Sequence, residues 1–96
     1  MATSQTFVWN AAPDAAAYEF QLFRGAKRIF RARVNEPRLE LQGSWRQSGG
    51  HGARNESLTP GTYRWYVWTI SRKTNKQSAV AMVQARLVVE KQPPRS

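Results

Sequence analysis

Apolar and polar residues alternate along most of this chain. In "TFVWN" Phe7 and Trp9 share a face, and in "AYEFQLFR" Tyr18, Phe20 and Leu22 alternate with Glu19, Gln21 and Phe23. "RIFRARV" sets Phe30, Ala32 and Val34 opposite Arg31 and Arg33, and "RLELQ" sets Leu39 and Leu41 against Arg38, Glu40 and Gln42. "TYRWYVWTI" puts Tyr63, Trp65, Val67 and Thr69 on one side, and "AVAMVQARLVVE" puts Val83, Ala85, Leu87 and Val89 opposite Gln84 and Arg86. A period of two is the mark of a half-buried strand, so six strands are predicted from these segments. No segment holds a helical period; "PDAAAY" has the composition of a short loop.

Turn chemistry separates the strands: Pro13-Asp14, Gly25, Asn35-Glu36-Pro37 and "SRKTNKQS". The stretch 43–57, "GSWRQSGGHGARNES", is longer and richer in Gly, and is predicted to be a long loop. Parallel pairing needs crossover helices. Their absence from the pattern predicts an all-β antiparallel sandwich of two sheets. One domain over 1–91 is expected, with "QPPRS" at 92–96 as an exposed tail or linker.

One strand breaks the alternation. In "LTPGTYRWYVWTI" the residues Tyr66, Trp68 and Ile70 are as bulky as the core-facing set. Four Trp, four Phe and three Tyr in 96 residues supply ample burial for one ordered domain, yet these three side chains fall on the wrong parity for the core.

Two segments resemble the fibronectin type III family. "FVWNAAPDAAAYEFQL" is similar to its strand B with a core Trp, a B–C connection, and an aromatic opening to strand C. "LTPGTYRWYV" is similar to its E–F corner, in which a Leu plugs the core and a Tyr hydroxyl bonds back to the turn. One residue fewer than in the commonest form separates Thr62 from Tyr63, as in the bacterial "PGTYYWRV" variant. The resemblance covers Phe7 to Val89. It implies an immunoglobulin-like sandwich with strands B at 6–10, C at 17–24, C′ at 28–34, E at 38–42, F at 62–70 and G at 80–90. Strand A would be short or missing, which leaves the edge of strand B open.

Candidate chemistry is sparse. His51 sits between glycines in "SGGHGAR", where nothing holds a general base in place. The six carboxylates (Asp14, Glu19, Glu36, Glu40, Glu56 and Glu90) are scattered over different segments, so no acid pair of the glycosidase kind is predicted. Without cysteine, disulfides and thiolate chemistry are excluded, and no zinc or EF-hand pattern is present. "NES" at 55–57 fits a glycosylation acceptor, a pattern short enough to arise by chance. No run approaches the roughly 20 apolar residues of a membrane span. Neither catalysis, a cofactor nor a metal is expected.

Charge changes the picture. The formal net charge is +9, from 15 basic and 6 acidic residues, and Arg outnumbers Lys eleven to four. Such a balance points toward an anionic partner, yet a merely solvated basic surface is the reading preferred for the charge by itself. In the implied layout, the sheet C′-C-F-G turns Phe23, Tyr66, Trp68 and Ile70 outward, rimmed by Arg31, Arg33, Arg64 and Arg86. Three uses of this face compete. The arginine stems could lie over Tyr66 and Trp68 in cation–π contacts of purely structural value; a protein or neighbouring domain could dock there; or sugars or single-stranded nucleic acid could stack there. Arg72, Lys73 and Lys76 of the F–G loop form a second candidate surface. Arg24, Lys27 and Arg28 lie at the opposite end, beside the long loop whose Trp45 is expected to fold back onto the core.

The expectation is a non-catalytic binding or spacer module from a larger, extracytoplasmic or cell-surface protein of bacterial type. Its first-choice partner is a protein or adjacent domain, and its second an anionic polymer, either acidic polysaccharide or nucleic acid. A degenerate carbohydrate accessory domain comes third. Oligomerisation through the sheet face or the strand-B edge is open to it.

Overall fold

A computed structural model describes residues 4–49 and 52–90, with side chains outside 46–56. Eight strands follow one another, and no helix occurs among the described residues: β1 (Gln5–Val8), β2 (Ala15–Arg24), β3 (Lys27–Val34), β4 (Arg38–Leu41), β5 (Ser44–Gly49), β6 (Gly52–Ser57), β7 (Gly61–Ser71) and β8 (Val83–Val89). Hence none is long and apolar enough to cross a membrane. The sheets are antiparallel. One has four strands in the order β3-β2-β7-β8, a second pairs β1 with β4, and β5 pairs with β6 as a separate hairpin.

The inward parity of each segment explains the core. Phe7, Trp9, Leu41 and Leu58 come from one side, and Tyr18, Phe20, Leu22, Ile29, Tyr63 and Val67 from the four-stranded sheet. They meet as rings: Phe7 lies 4.8 Å from Phe20 and 5.1 Å from Trp65, and Trp9 lies 5.6 Å from Tyr18. Two antiparallel sheets therefore face each other across an aromatic layer, as in a β-sandwich.

Within β1–β8 the strand bounds shift slightly from those predicted. Trp9 leaves β1 but keeps a backbone bond to Pro37 O at 3.1 Å, and β8 starts at Val83, Met82 still donating to Val67 O at 2.8 Å. β1 pairs with β4 alone among the described residues.

Two features depart from the pattern. The predicted long loop at 43–57 is the β5–β6 hairpin, in register from Ser44↔Ser57 to Gly49↔Gly52. A hairpin needs only backbone pairing, which leaves no trace in the hydrophobic pattern. His51 lies outside the described residues, as does the predicted tail at 92–96. In β3 the register slips between Leu22 and Phe23, whose partners are Phe30 and Arg28. Ile29 is the residue left over, a β-bulge. As a result Ile29 is buried although it shares the parity of Arg31 and Arg33, and Phe30 packs against the core beside it. The turn before β3 needs only Gly25 and Ala26, with Gly25 at φ 59°, a conformation glycine adopts without a Cβ penalty.

The segment before β7 is locked by Tyr63. This buried ring donates its hydroxyl to Thr59 O at 2.7 Å and accepts from Arg24 Nη2 at 2.6 Å. The Arg24 guanidinium stacks 5.0 Å over the same ring and also reaches Thr59 Oγ1 at 2.7 Å. Leu58 is buried beneath. Tyr63→Phe removes both hydroxyl bonds without changing ring volume and is expected to cost about 1–2 kcal/mol in chemical denaturation. An unchanged midpoint would show that these bonds are net neutral.

Candidate binding face

Directly opposed residues of neighbouring strands share a face, so the registers of β3, β2, β7 and β8 fix the outer surface of the large sheet. One row runs Arg28–Phe23–Arg64–Arg86, the next Arg31–Gln21–Tyr66–Gln84, and the third Arg33–Glu19–Trp68. Ala17 and Ile70 close the face at one end, and Thr62 with Val88 at the other. Five arginines and one carboxylate thus surround three aromatic rings.

The rings are half-buried. Phe23 meets Tyr66 edge-on at 5.5 Å, and Tyr66 and Trp68 lie nearly parallel, 29° apart, at 5.8 Å. They form one continuous row that covers the sheet beneath it, as cross-strand and same-strand aromatic pairs do. Ile70, expected to be exposed with them, is only 4% exposed. Beside it the chain returns, Ile70 forming an antiparallel bridge with Gln77. The accessible aromatic surface is therefore Phe23, Tyr66 and Trp68.

The arginines divide by role. Arg31 Nε donates to Glu19, whose carboxylate also accepts from Gln21 Nε2 at 3.2 Å. Glu19 is the buried charged residue among those described, with a side chain 4% exposed against 59% for Arg31. Arg33 is tied to Asn75 Oδ1 at 2.8 Å. Of the three competing uses of this face, cation–π stacking of Arg31, Arg33, Arg64 and Arg86 on Tyr66 and Trp68 does not occur among the described residues, where the stacked guanidinium is that of Arg24 on Tyr63, inside the corner. Arg64 and Arg86 have neither a hydrogen bond nor an ion pair among the described residues.

Two grooves border the aromatic row. One of about 390 Å³ is lined by Glu19, Arg31, Arg33, Ile70, Asn75 and Gln77. The other, of about 240 Å³, is lined by Arg64, Tyr66, Gln84, Ala85 and Arg86.

Arg72, Lys73 and Lys76 are exposed on a tight turn at the far end of β7. Ser71 Oγ accepts from the Lys73 and Thr74 amides at 3.2 and 3.3 Å, and Asn75, at φ 57°, donates to Ser71 O at 2.8 Å. The Arg72 amide donates to Asp14 O at 3.0 Å, which joins this turn to the β1–β2 connection. At the other end Arg24 reaches Ser57 O at 3.3 Å. Trp45 folds back as expected: its Nε1 donates to Ile29 O at 3.0 Å and its ring meets Phe30 at 5.6 Å. The loop basic residues therefore occupy two separate ends of the molecule, neither continuous with the other.

The Glu19–Arg31–Gln21 cluster and the corner role of Arg24 are absent from the sequence expectations. A signal existed for the first: a lone acid in β2 whose neighbours in β3 are arginines. Among the described residues no group of three or more His, Cys, Asp or Glu is placed to hold a metal ion.

No protein-family model matches this chain, and no curated protein and no solved structure matches it.

Proposed function

We propose that the chain is a non-catalytic binding module of the fibronectin type III kind, which docks a partner protein or a neighbouring domain on the outer face of the β3-β2-β7-β8 sheet. The observation that carries this reading is the row Phe23–Tyr66–Trp68 set among Arg28, Arg31, Arg33, Arg64 and Arg86. Tyr, Trp, Phe and Arg are the residues enriched in protein interfaces. Phe23 and Tyr66 sit on the central strands, β2 and β7, so a docked surface would cover them from all sides. The family assignment draws support from the strand order and from the Leu58–Tyr63 corner, whose hydroxyl turns back to Thr59.

An interaction screen with wild type, the Tyr66→Ala/Trp68→Ala double variant and Arg38→Ala tests it. Arg38 lies on β4, in the other sheet. The expected result is a protein held by wild type and Arg38→Ala and weakened about thirtyfold or more by the double variant, the loss of at least one hot spot of about 2 kcal/mol. Identical partner sets for all three would overturn the reading.

A second reading, an anionic polymer on the same face, is favoured by one observation: Arg64 and Arg86 oppose each other with no carboxylate partner among the described residues. Salt separates the two. Polymer binding would fall linearly in log–log plots with a slope set by the number of anionic groups contacted, whereas aromatic docking would change little.

A further inference from the structure

The β7–β8 ladder sets Arg64 directly opposite Arg86. In an antiparallel pair such side chains start roughly 5 Å apart at Cβ, and like charges at that position oppose folding. Folds normally relieve such a pair with an acid next to it. Here the same row continues to Phe23 and then to a third guanidinium, Arg28. Among the described residues paired in these rows the carboxylate is that of Glu19, which lies two rows away from Arg64 and is engaged by Arg31. Both Arg64 and Arg86 are exposed, and neither has a partner among the described residues. They flank a groove whose lining includes Tyr66 and Gln84, bearing a hydroxyl and a side-chain amide.

We infer that the Arg64–Arg86 groove is a binding site for the dianionic phosphate group of a phosphate monoester. Two facing cations are balanced by two negative charges, which a carboxylate, a sulfate ester or a phosphate diester does not carry. Three terminal oxygens give each planar guanidinium a pair of acceptors. They leave further acceptor capacity for the Tyr66 O–H and the Gln84 N–H donors. The site shares its face with the proposed docking surface but does not rest on it, since a free monoester suffices to fill it.

The probe is phenyl phosphate, with phenyl sulfate and dimethyl phosphate as singly charged comparisons, followed by amide chemical shifts at constant ionic strength. Saturable shifts are expected at Arg64, Tyr66, Gln84 and Arg86, with phenyl phosphate binding about tenfold or more tighter than either comparison. Arg64→Gln and Arg86→Gln should each weaken it about tenfold, and Arg38→Gln should not. The charged and titratable groups lining the groove are Arg64 and Tyr66 from β7 and Arg86 from β8, with Arg28 of β3 farther along the same row. Between pH 7.5 and 5 the phosphate monoester changes charge, its second pKa being about 6. Affinity for phenyl phosphate should fall over that range while affinity for phenyl sulfate stays level. Equal affinity for all three probes, or shifts that grow linearly at every basic residue and survive Arg64→Gln, would overturn the assignment. A melting comparison covers the case of a disturbed fold. In chloride the Arg64→Gln/Arg86→Gln variant should melt at or above wild type, because a repulsion is gone. A variant that keeps the full phosphate-induced rise in Tm would also overturn it. Loss of the protein partner in the docking screen leaves this titration unaffected, so the two can fail separately.

Discussion

Truncation of Phe20 to Ala is expected to remove about 3–5 kcal/mol of stability, the range for large aromatic-to-Ala changes in a packed core. Phe20 is fully buried and sits in β2, between Ala32 of β3 and Val67 of β7. Its ring touches four others: Phe7 at 4.8 Å, Trp65 at 5.8 Å, Phe30 at 6.1 Å and Trp9 at 6.2 Å. Those rings come from both sheets and from β3, so the cavity opens at the point where the two layers meet. Rigid rings refill a hole poorly, and the small Ala32 beside it cannot reach in. A domain of this length has about 5–14 kcal/mol in total, so the variant gives up from about a fifth of it to all of it. In urea the midpoint should fall with little change in slope. A loss below about 1 kcal/mol would mean that Phe20 is not the junction of the two sheets.

Parity made most of this core legible. Phe7, Trp9, Tyr18, Phe20, Leu22, Leu41, Tyr63 and Val67 are all inward by alternation and all buried. Where the pattern failed, a non-local or backbone cause can be named. Ile29 is inward because a bulge shifts its register, and a bulge is written in pairing and not in composition. The β5–β6 hairpin satisfies its own backbone, so it left no apolar alternation to find. Ile70 is buried at an end of β7 where the chain returns to bridge it at Gln77, a contact seven residues away that periodicity does not encode. The candidate face was legible as a list of outward residues, since the order β3-β2-β7-β8 brings Phe23, Tyr66 and Trp68 together. What the list could not distinguish was which arginines are committed. Arg24, Arg31 and Arg33 are spent on Tyr63, Glu19 and Asn75, and Arg64 and Arg86 are not. That division depends on which acid or amide each long side chain reaches, and among the described residues it separates Arg24, Arg31 and Arg33 from Arg64 and Arg86.

Arg31→Leu is expected to destabilise the fold by about 2–3 kcal/mol, more than an exposed ion pair could contribute. The Arg31 side chain is 59% exposed, and a pair in that setting is worth at most about 1 kcal/mol. The Glu19 end decides the outcome: its side chain is 4% exposed and its remaining polar contact is Gln21 Nε2 at 3.2 Å. Removal of Arg31 strands a carboxylate between Arg33, held by Asn75, and the Trp68 position on β7. An unpaired buried charge costs more than its bond was worth. The Glu19→Leu/Arg31→Leu double variant should therefore recover most of the loss, because both partners leave together and Leu suits a position under the aromatic row. A double-mutant cycle in chemical denaturation gives the coupling. Additive losses would mean that Glu19 stays solvated without Arg31. Glu19→Gln keeps an acceptor for Arg31 Nε and should cost less than Arg31→Leu. The same cycle bears on binding, since the pair anchors one guanidinium of the face beside Tyr66. A recovered fold that still docks its partner would assign Arg31 to the sheet, and one that no longer docks would assign it to the partner.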